Sequence, residues 1–214
     1  MNTANNTRSF VILNLFFLTD NIPTMLLKLI TDARNALLLR YKPAAEYRYA
    51  PPAIIGILLL LGLQNAAAFT PLFGRDAAAI VFSLVFVTAK WLLLSLIMQT
   101  ILRPVNRAGK TSYFGFILAT EALLAPALIV LYYPDLAGVA VFWQIWCFWA
   151  QAAGLMYLSR SNGIKVLLGY LCYAIAMIIT ASVLIGIFVG LGLFDQAELM
   201  KRSQEILKAG QLTP

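Results

Sequence analysis

The chain has 214 residues, 61% of them hydrophobic and only 12% charged, with two cysteines and no histidine. Soluble domains run near about 45–50% apolar and about 25% charged, so this balance, with a mean hydropathy of +0.82, places the chain among membrane proteins. The lack of histidine removes the commonest metal ligand and general base, which excludes histidine-bound zinc or haem and a Ser-His-Asp triad; the net charge of +7 is not gathered into a basic block interleaved with aromatics, so nucleic acid is not an expected partner.

Residues 1–50 read as a cytoplasmic arm. Residues 1–9 are polar, and 10–18 are apolar but too short to span a bilayer, with no small-residue cleavage site of a signal peptide. Residues 22–40 read as an amphipathic helix. Ile22, Met25, Leu26, Leu29, Ile30, Ala33 and Leu37 recur at spacings of three and four. Lys28, Thr31, Asp32, Arg34 and Asn35 fall largely on the other side. Pro23 suits the first turn. Such a helix is expected to lie along the membrane surface, with Lys28, Arg34 and Arg40 toward the headgroups, or to pack against the protein's own cytoplasmic loops, and the two placements are not exclusive. A polar connector over 41–50 leads to Pro51-Pro52, which stops any preceding helix.

Residues 51–194 read as five transmembrane helices, over about 53–69, 77–101, 112–133, 136–158 and 164–194, each long enough to cross where about 20 apolar residues suffice. The fold class is therefore all-α, a polytopic membrane protein with an N-terminal interfacial helix. In the first span Gln64 and Asn65 are placed to bond neighbouring helices. The second and third spans each carry one full charge, Lys90 and Glu121. Measured from the loop that joins them, Lys90 lies about 18 Å deep and Glu121 about 14 Å deep, at about 1.5 Å per residue. A charge at a helix centre costs about 2.5–3.5 kcal/mol to insert, and an ion pair is the cheapest way to hold both. Such a pair is either a clasp between helices or a polar site for a relay or a substrate. Pro126, one turn beyond Glu121, predicts a kink.

In the fourth span Gln144 and Gln151 are seven residues apart and share a face. They either enlarge a polar interior around Lys90 and Glu121 or simply bond between helices. Trp143, Trp146 and Trp149 drift round one side and read as packing or lipid contact. The fifth span carries Ser182, Gly186 and Gly190 at four-residue spacing, a pattern that lets helices approach closely. Cys147 and Cys172 fall inside spans as small apolar residues. Residues 195–214 form a tail with a short helix, Asp195 and Glu198 marking its start.

Arg103, Arg107 and Lys110 follow the second span and Arg160 and Lys165 the fourth, whereas Arg75 stands alone after the first. The positive-inside rule then puts the N-terminus in the cytoplasm and the C-terminus outside, in a bacterial-type inner membrane. No phosphate loop, nucleotide motif or nucleophile–base spacing is present, so catalytic residues, cofactors and metal ligands are not expected.

An arm carrying Leu-Ile-Thr-Asp-Ala-Arg-Asn-Ala-Leu at 29–37, then Pro51-Pro52 and five closely spaced spans, resembles bacterial members of the Yip1 family. Many members have proline after the aspartate, where this chain has Ala33. The resemblance implies a five-helix integral membrane protein without catalytic residues, linked with membrane organisation or trafficking. Two functions follow as expectations. One is a non-enzymatic protein that organises membrane or assists partners, contacting the lipid bilayer and a protein partner or its own copies. The other is a small transporter or channel subunit with a polar site around Lys90 and Glu121.

Overall fold

The computed structural model describes residues 24, 26–102, 112–131 and 133–211, and all regular structure among them is helical. The polar and apolar stretches at 1–18, and the basic loop with Arg103, Arg107 and Lys110, lie outside the described residues. Helix α1 runs over 26–37. It is followed by α2 (Pro51–Phe73), α3 (Ala77–Ile101), α4 (Phe114–Glu121), α5 (Ala137–Ser159), α6 (Gly163–Gly190) and α7 (Gln196–Gln211). Four of these, α2, α3, α5 and α6, are long and apolar enough to cross a membrane.

Local chemistry sets the ends. Pro51 and Pro52 occupy the first positions of α2, where a missing N–H costs nothing. That helix runs on through Pro71 and closes at Gly74, with φ of 82°, so the loop expected over 70–76 shrinks. α6 stops at Gly190 rather than running to 194. Gly192 takes φ of 71°, and its N–H and that of Leu193 close back on the carbonyls of Val189 and Phe188, a glycine helix stop. Asp195 then caps α7, its Oδ1 accepting from the Ala197 N–H at 2.8 Å.

The expected third span departs most from an ordinary helix. It is α-helical only over the eight residues of α4, then tightens into a 3-10 stretch, Ala122–Leu131. Pro126 explains the change. Its ring collides with the carbonyl four residues back, at Ala122, and it has no N–H to donate. In the tighter winding the Leu123 carbonyl faces Pro126 and finds no donor. A side chain of a neighbouring helix fills the gap, Trp143 Nε1 donating to the Leu123 oxygen at 2.7 Å, and Gln64 Nε2 bonds the adjacent Leu124 oxygen at 2.9 Å. Backbone freed by proline in an apolar medium has to be satisfied in this way.

α3 packs along α2 on one side and α6 on the other. The close approaches use Gly62, where a Cβ would collide with Leu84, and Gly169, where it would crowd Met98. Gly186 and Gly190 meet nothing within 4 Å, and the Ser182 hydroxyl bonds back to Ile178 of its own helix. Among the described residues, then, nothing packs on Gly186 or Gly190. At one end of the bundle Phe73, Phe82, Phe188 and Phe194 stack against one another, with ring centroids 4.7–5.6 Å apart. They tie α2, α3 and α6 to the segment that leads into α7.

The arm helix packs one face against the protein itself. Leu29, Asp32, Ala33 and Ala36 form one buried face of α1, packed with Leu118 of α4, Leu123 of the 3-10 stretch and Cys147 of α5. Ile30, placed on the apolar side by periodicity, is 55% exposed, whereas Asp32, placed on the polar side, is 1% exposed. Partners make that burial tolerable: Lys42 Nζ donates to Asp32 Oδ1 at 2.8 Å and the Tyr49 hydroxyl to Oδ2 at 3.1 Å. Two glycines open the slot. A Cβ at Gly115 would collide with the Tyr47 carbonyl, and one at Gly154 with the rings of Phe116 and Tyr41. Tyr41 then donates to the Ala150 carbonyl at 2.9 Å, and Trp146 to the Leu37 carbonyl at 3.2 Å. Lys28, Arg34 and Arg40 stay exposed, with Lys28 bonded to the Arg48 carbonyl and lying over the Tyr49 ring.

Candidate functional site

Glu121 is the last α-helical residue before the 3-10 stretch. Lys90 Nζ donates to its Oε2 at 2.7 Å, so the two charges singled out in the apolar runs meet. The Glu121 side chain is 9% exposed and that of Lys90 26%. Neither is sealed in packing. Both open on a cavity of about 610 Å³.

Each wall of this cavity is one face of a helix. α2 contributes Leu61, Gln64, Asn65 and Ala68; α5 contributes Gln144, Cys147, Phe148 and Gln151. Spacings of three, four and seven put each set on a single face. α3 adds Val87 and Leu94 beside Lys90, α6 adds Tyr170, Tyr173 and Ala174, and the third segment adds Thr120, Leu124 and Ala127 beside Glu121. A second hollow of about 300 Å³ shares Gln64, Ala68, Ala127 and Gln144 with the first.

The polar groups fall into two sets. One is a closed chain: Tyr170 donates to Gln151 Oε1 at 2.7 Å, Gln151 Nε2 to the Thr120 hydroxyl at 2.8 Å, and Thr120 to the carbonyl of Ile117 at 2.9 Å. This chain links α6, α5 and α4, and each amide position of Gln151 is used. The other set is open. Gln144 is exposed on the cavity wall, and Gln64 Oε1 is buried without a hydrogen-bond partner, although its amide nitrogen is engaged. Asn65 bonds only to Leu61 of its own helix.

Of the residues singled out from the sequence, the structure thus brings Lys90, Glu121, Gln144 and Gln151 to one cavity. It leaves Ser182, Gly186 and Gly190 on the outer face of α6, and Lys28, Arg34 and Arg40 on the outside of the arm. Sequence reasoning passed over Thr120, Tyr170 and Tyr173. Their signal was position: a hydroxyl next to a carboxylate in an apolar run, and two tyrosines one helical turn apart in a mostly aliphatic span. No group of three or more metal-binding side chains occurs among the described residues.

The class these features define is a helical membrane protein with a half-open, largely apolar cavity that holds an ion pair. In comparisons with family models, curated proteins and solved structures the chain matches none of them.

Proposed function

We propose that the protein is a non-enzymatic membrane transport component whose bundle takes up a small polar solute beside Lys90 and Glu121. The observation that carries this reading is the cavity of about 610 Å³ onto which both members of the ion pair open. A pair serving only as a clasp between α3 and α4 has no need of a cavity with Gln64, Gln144 and Tyr173 around it. Pockets for small ligands commonly measure about 300–1,000 Å³, largely apolar with a few placed polar groups.

Five passes fit this reading. A 3-10 turn rises about 2.0 Å per residue against about 1.5 Å in an α-helix. The 18 residues of α4 and its extension therefore reach about 30 Å, the thickness of a hydrocarbon core. The positive residues then set the N-terminus in the cytoplasm and the C-terminus outside a bacterial-type inner membrane.

The test is water access. In a Cys147→Ala/Cys172→Ala background, Ala68→Cys is expected to react with a charged, membrane-impermeant thiol reagent at least tenfold faster than Leu59→Cys on the lipid side of α2. Equal, slow labelling at both positions would remove the transport reading.

A membrane-organising role, in line with a Yip1-like protein, is favoured by a different observation. Leu27, Ile30 and Leu38 of the arm are 64%, 55% and 52% exposed, beside exposed Lys28, Arg34 and Arg40. Such a surface suits the headgroup region or a partner protein. It predicts that Leu27→Asn/Ile30→Asn strips a stoichiometric partner from the protein purified in mild detergent while the fold survives.

A further inference from the structure

We infer that the cavity recognises a zwitterion, a group carrying an ammonium and an anionic oxygen a few bonds apart; this rests on the solute-site reading given above. The argument begins with charge. Among the described residues of the wall, Lys90 and Glu121 are the only ionised groups, so the lining has no net charge. They bond to each other through one oxygen and one ammonium proton, at 2.7 Å. A simple cation that binds Glu121 must detach Lys90 or share it, and a simple anion does the same in reverse. Either leaves an uncompensated charge in an apolar bundle, which is the costly outcome when a buried pair is broken. A zwitterion avoids it, because its ammonium replaces Lys90 at Glu121 while its anionic end takes Lys90. The exchange moves no net charge into the site.

Two further features fit the same chemistry. Gln64 lines the cavity and its Oε1 is an acceptor without a partner, which a turn of the amide brings to a ligand N–H. The rest of the wall (Leu61, Val87, Leu94 and Phe148) is apolar and suits a carbon skeleton next to the charged end. Free amino-acid-like solutes and the headgroup of an ethanolamine phospholipid both present this pattern.

The experiment is thermal unfolding of the full chain in nanodiscs of anionic phosphatidylglycerol. Three free probes differ only in charge: L-leucine, 3-methylbutylamine (no carboxylate) and 4-methylpentanoate (no amine). A second arm replaces part of the lipid with phosphatidylethanolamine. A zwitterionic probe is expected to raise the midpoint by roughly 3–6 °C once about tenfold above its Kd, at least twice the rise from either singly charged analogue. A response to leucine marks a free solute, and a response to phosphatidylethanolamine alone marks a lipid headgroup. The shift is expected to vanish in the Lys90→Leu/Glu121→Leu protein. Equal shifts from the amine or the acid would overturn the zwitterion assignment and leave the solute site standing. No shift with any probe also overturns the assignment, and the labelling of Ala68→Cys then decides separately whether a water-filled site exists at all.

Discussion

Among the described residues two carboxylates are buried, Asp32 and Glu121, and they are treated in opposite ways. Asp32 in the arm is 1% exposed, with one oxygen bonded to Lys42 and the other to Tyr49. Nothing is left over for a ligand. Glu121 is nearly as buried, but among the described residues only Lys90 holds it, and both open on a cavity. The difference separates a carboxylate used to fasten a segment from one used to face a solute. A fully bonded carboxylate resists exchange because each partner lost is a penalty. A singly paired one beside a cavity can trade its partner for an equivalent.

The largest effect that tests this contrast is expected at Asp32. Asp32→Ala leaves the Tyr49 hydroxyl unpaired in a buried site and frees Lys42, at a cost of about 3 kcal/mol. Limited proteolysis should cut between residues 40 and 50 as the arm leaves its slot, while α2–α6 stay protected. Adding Lys42→Leu should restore little, since Lys42 is half-exposed and Tyr49 still lacks its acceptor.

At the cavity the double change should behave differently. Glu121→Leu alone is expected to lower stability by about 2 kcal/mol by leaving Lys90 uncompensated, and Lys90→Leu/Glu121→Leu should recover most of it. Denaturation in detergent, read on all four proteins of the cycle, measures the coupling. If the Asp32–Lys42 cycle recovers and the Lys90–Glu121 cycle does not, the contrast is reversed and the roles of the two carboxylates with it.

A third effect concerns pH and falls on the arm alone. The hydrogen bond to Asp32 holds Lys42 above its usual range. Burial pushes the Tyr41 phenol up to about 12, and raises Tyr47 and, more strongly, Tyr49. Each group keeps its proton more tightly in the docked arm than in the free chain. Its contribution is therefore complete below the ordinary values, about 10 for tyrosine and about 10.4 for lysine, and is lost as pH rises through the folded ones. Arm docking, followed by protease protection, should weaken progressively from about pH 10 to about pH 12. Fluorescence of Trp146, whose indole bonds the arm at Leu37, offers a second readout.

Some of this was legible in the sequence. Lys90 and Glu121 stand out because full charges are rare in apolar spans, and antiparallel neighbours joined by a short loop bring equal depths together. Gln144 and Gln151 share a face by simple spacing. The arm was not legible, because helical periodicity sorts residues by polarity and not by available partners. Asp32 is polar, yet its burial follows from Lys42 and Tyr49 beyond the helix and from the slots at Gly115 and Gly154 more than 70 residues away. Pro126 announced a disturbance, but not that a ten-residue 3-10 stretch would result. The bond from Trp143 to the Leu123 carbonyl, which Pro126 leaves without a backbone donor, comes from a different helix and is not visible in local sequence.

The smallest effect lies where α1 ends. Leu39 sits in the left-handed region at φ of 58°. Its own N–H bonds the Ala36 carbonyl at 3.0 Å, and the Arg40 N–H bonds that of Asn35 at 2.8 Å. This is the helix-stop arrangement that glycine normally fills, and the same one that Gly192 completes at the end of α6. A leucine there carries a backbone strain of about 1–2 kcal/mol. Its side chain is 41% exposed, so little packing is lost on removing it. Leu39→Gly should therefore stabilise the docked arm by about 0.5–1 kcal/mol, after the entropy that glycine gains in the free chain is set against the relieved strain. The gain should appear in protease protection of residues 40–50 and leave the Lys90–Glu121 cycle unchanged. A loss of protection instead would mean that the Leu39 side chain, and not the geometry of the stop, holds the arm against the bundle.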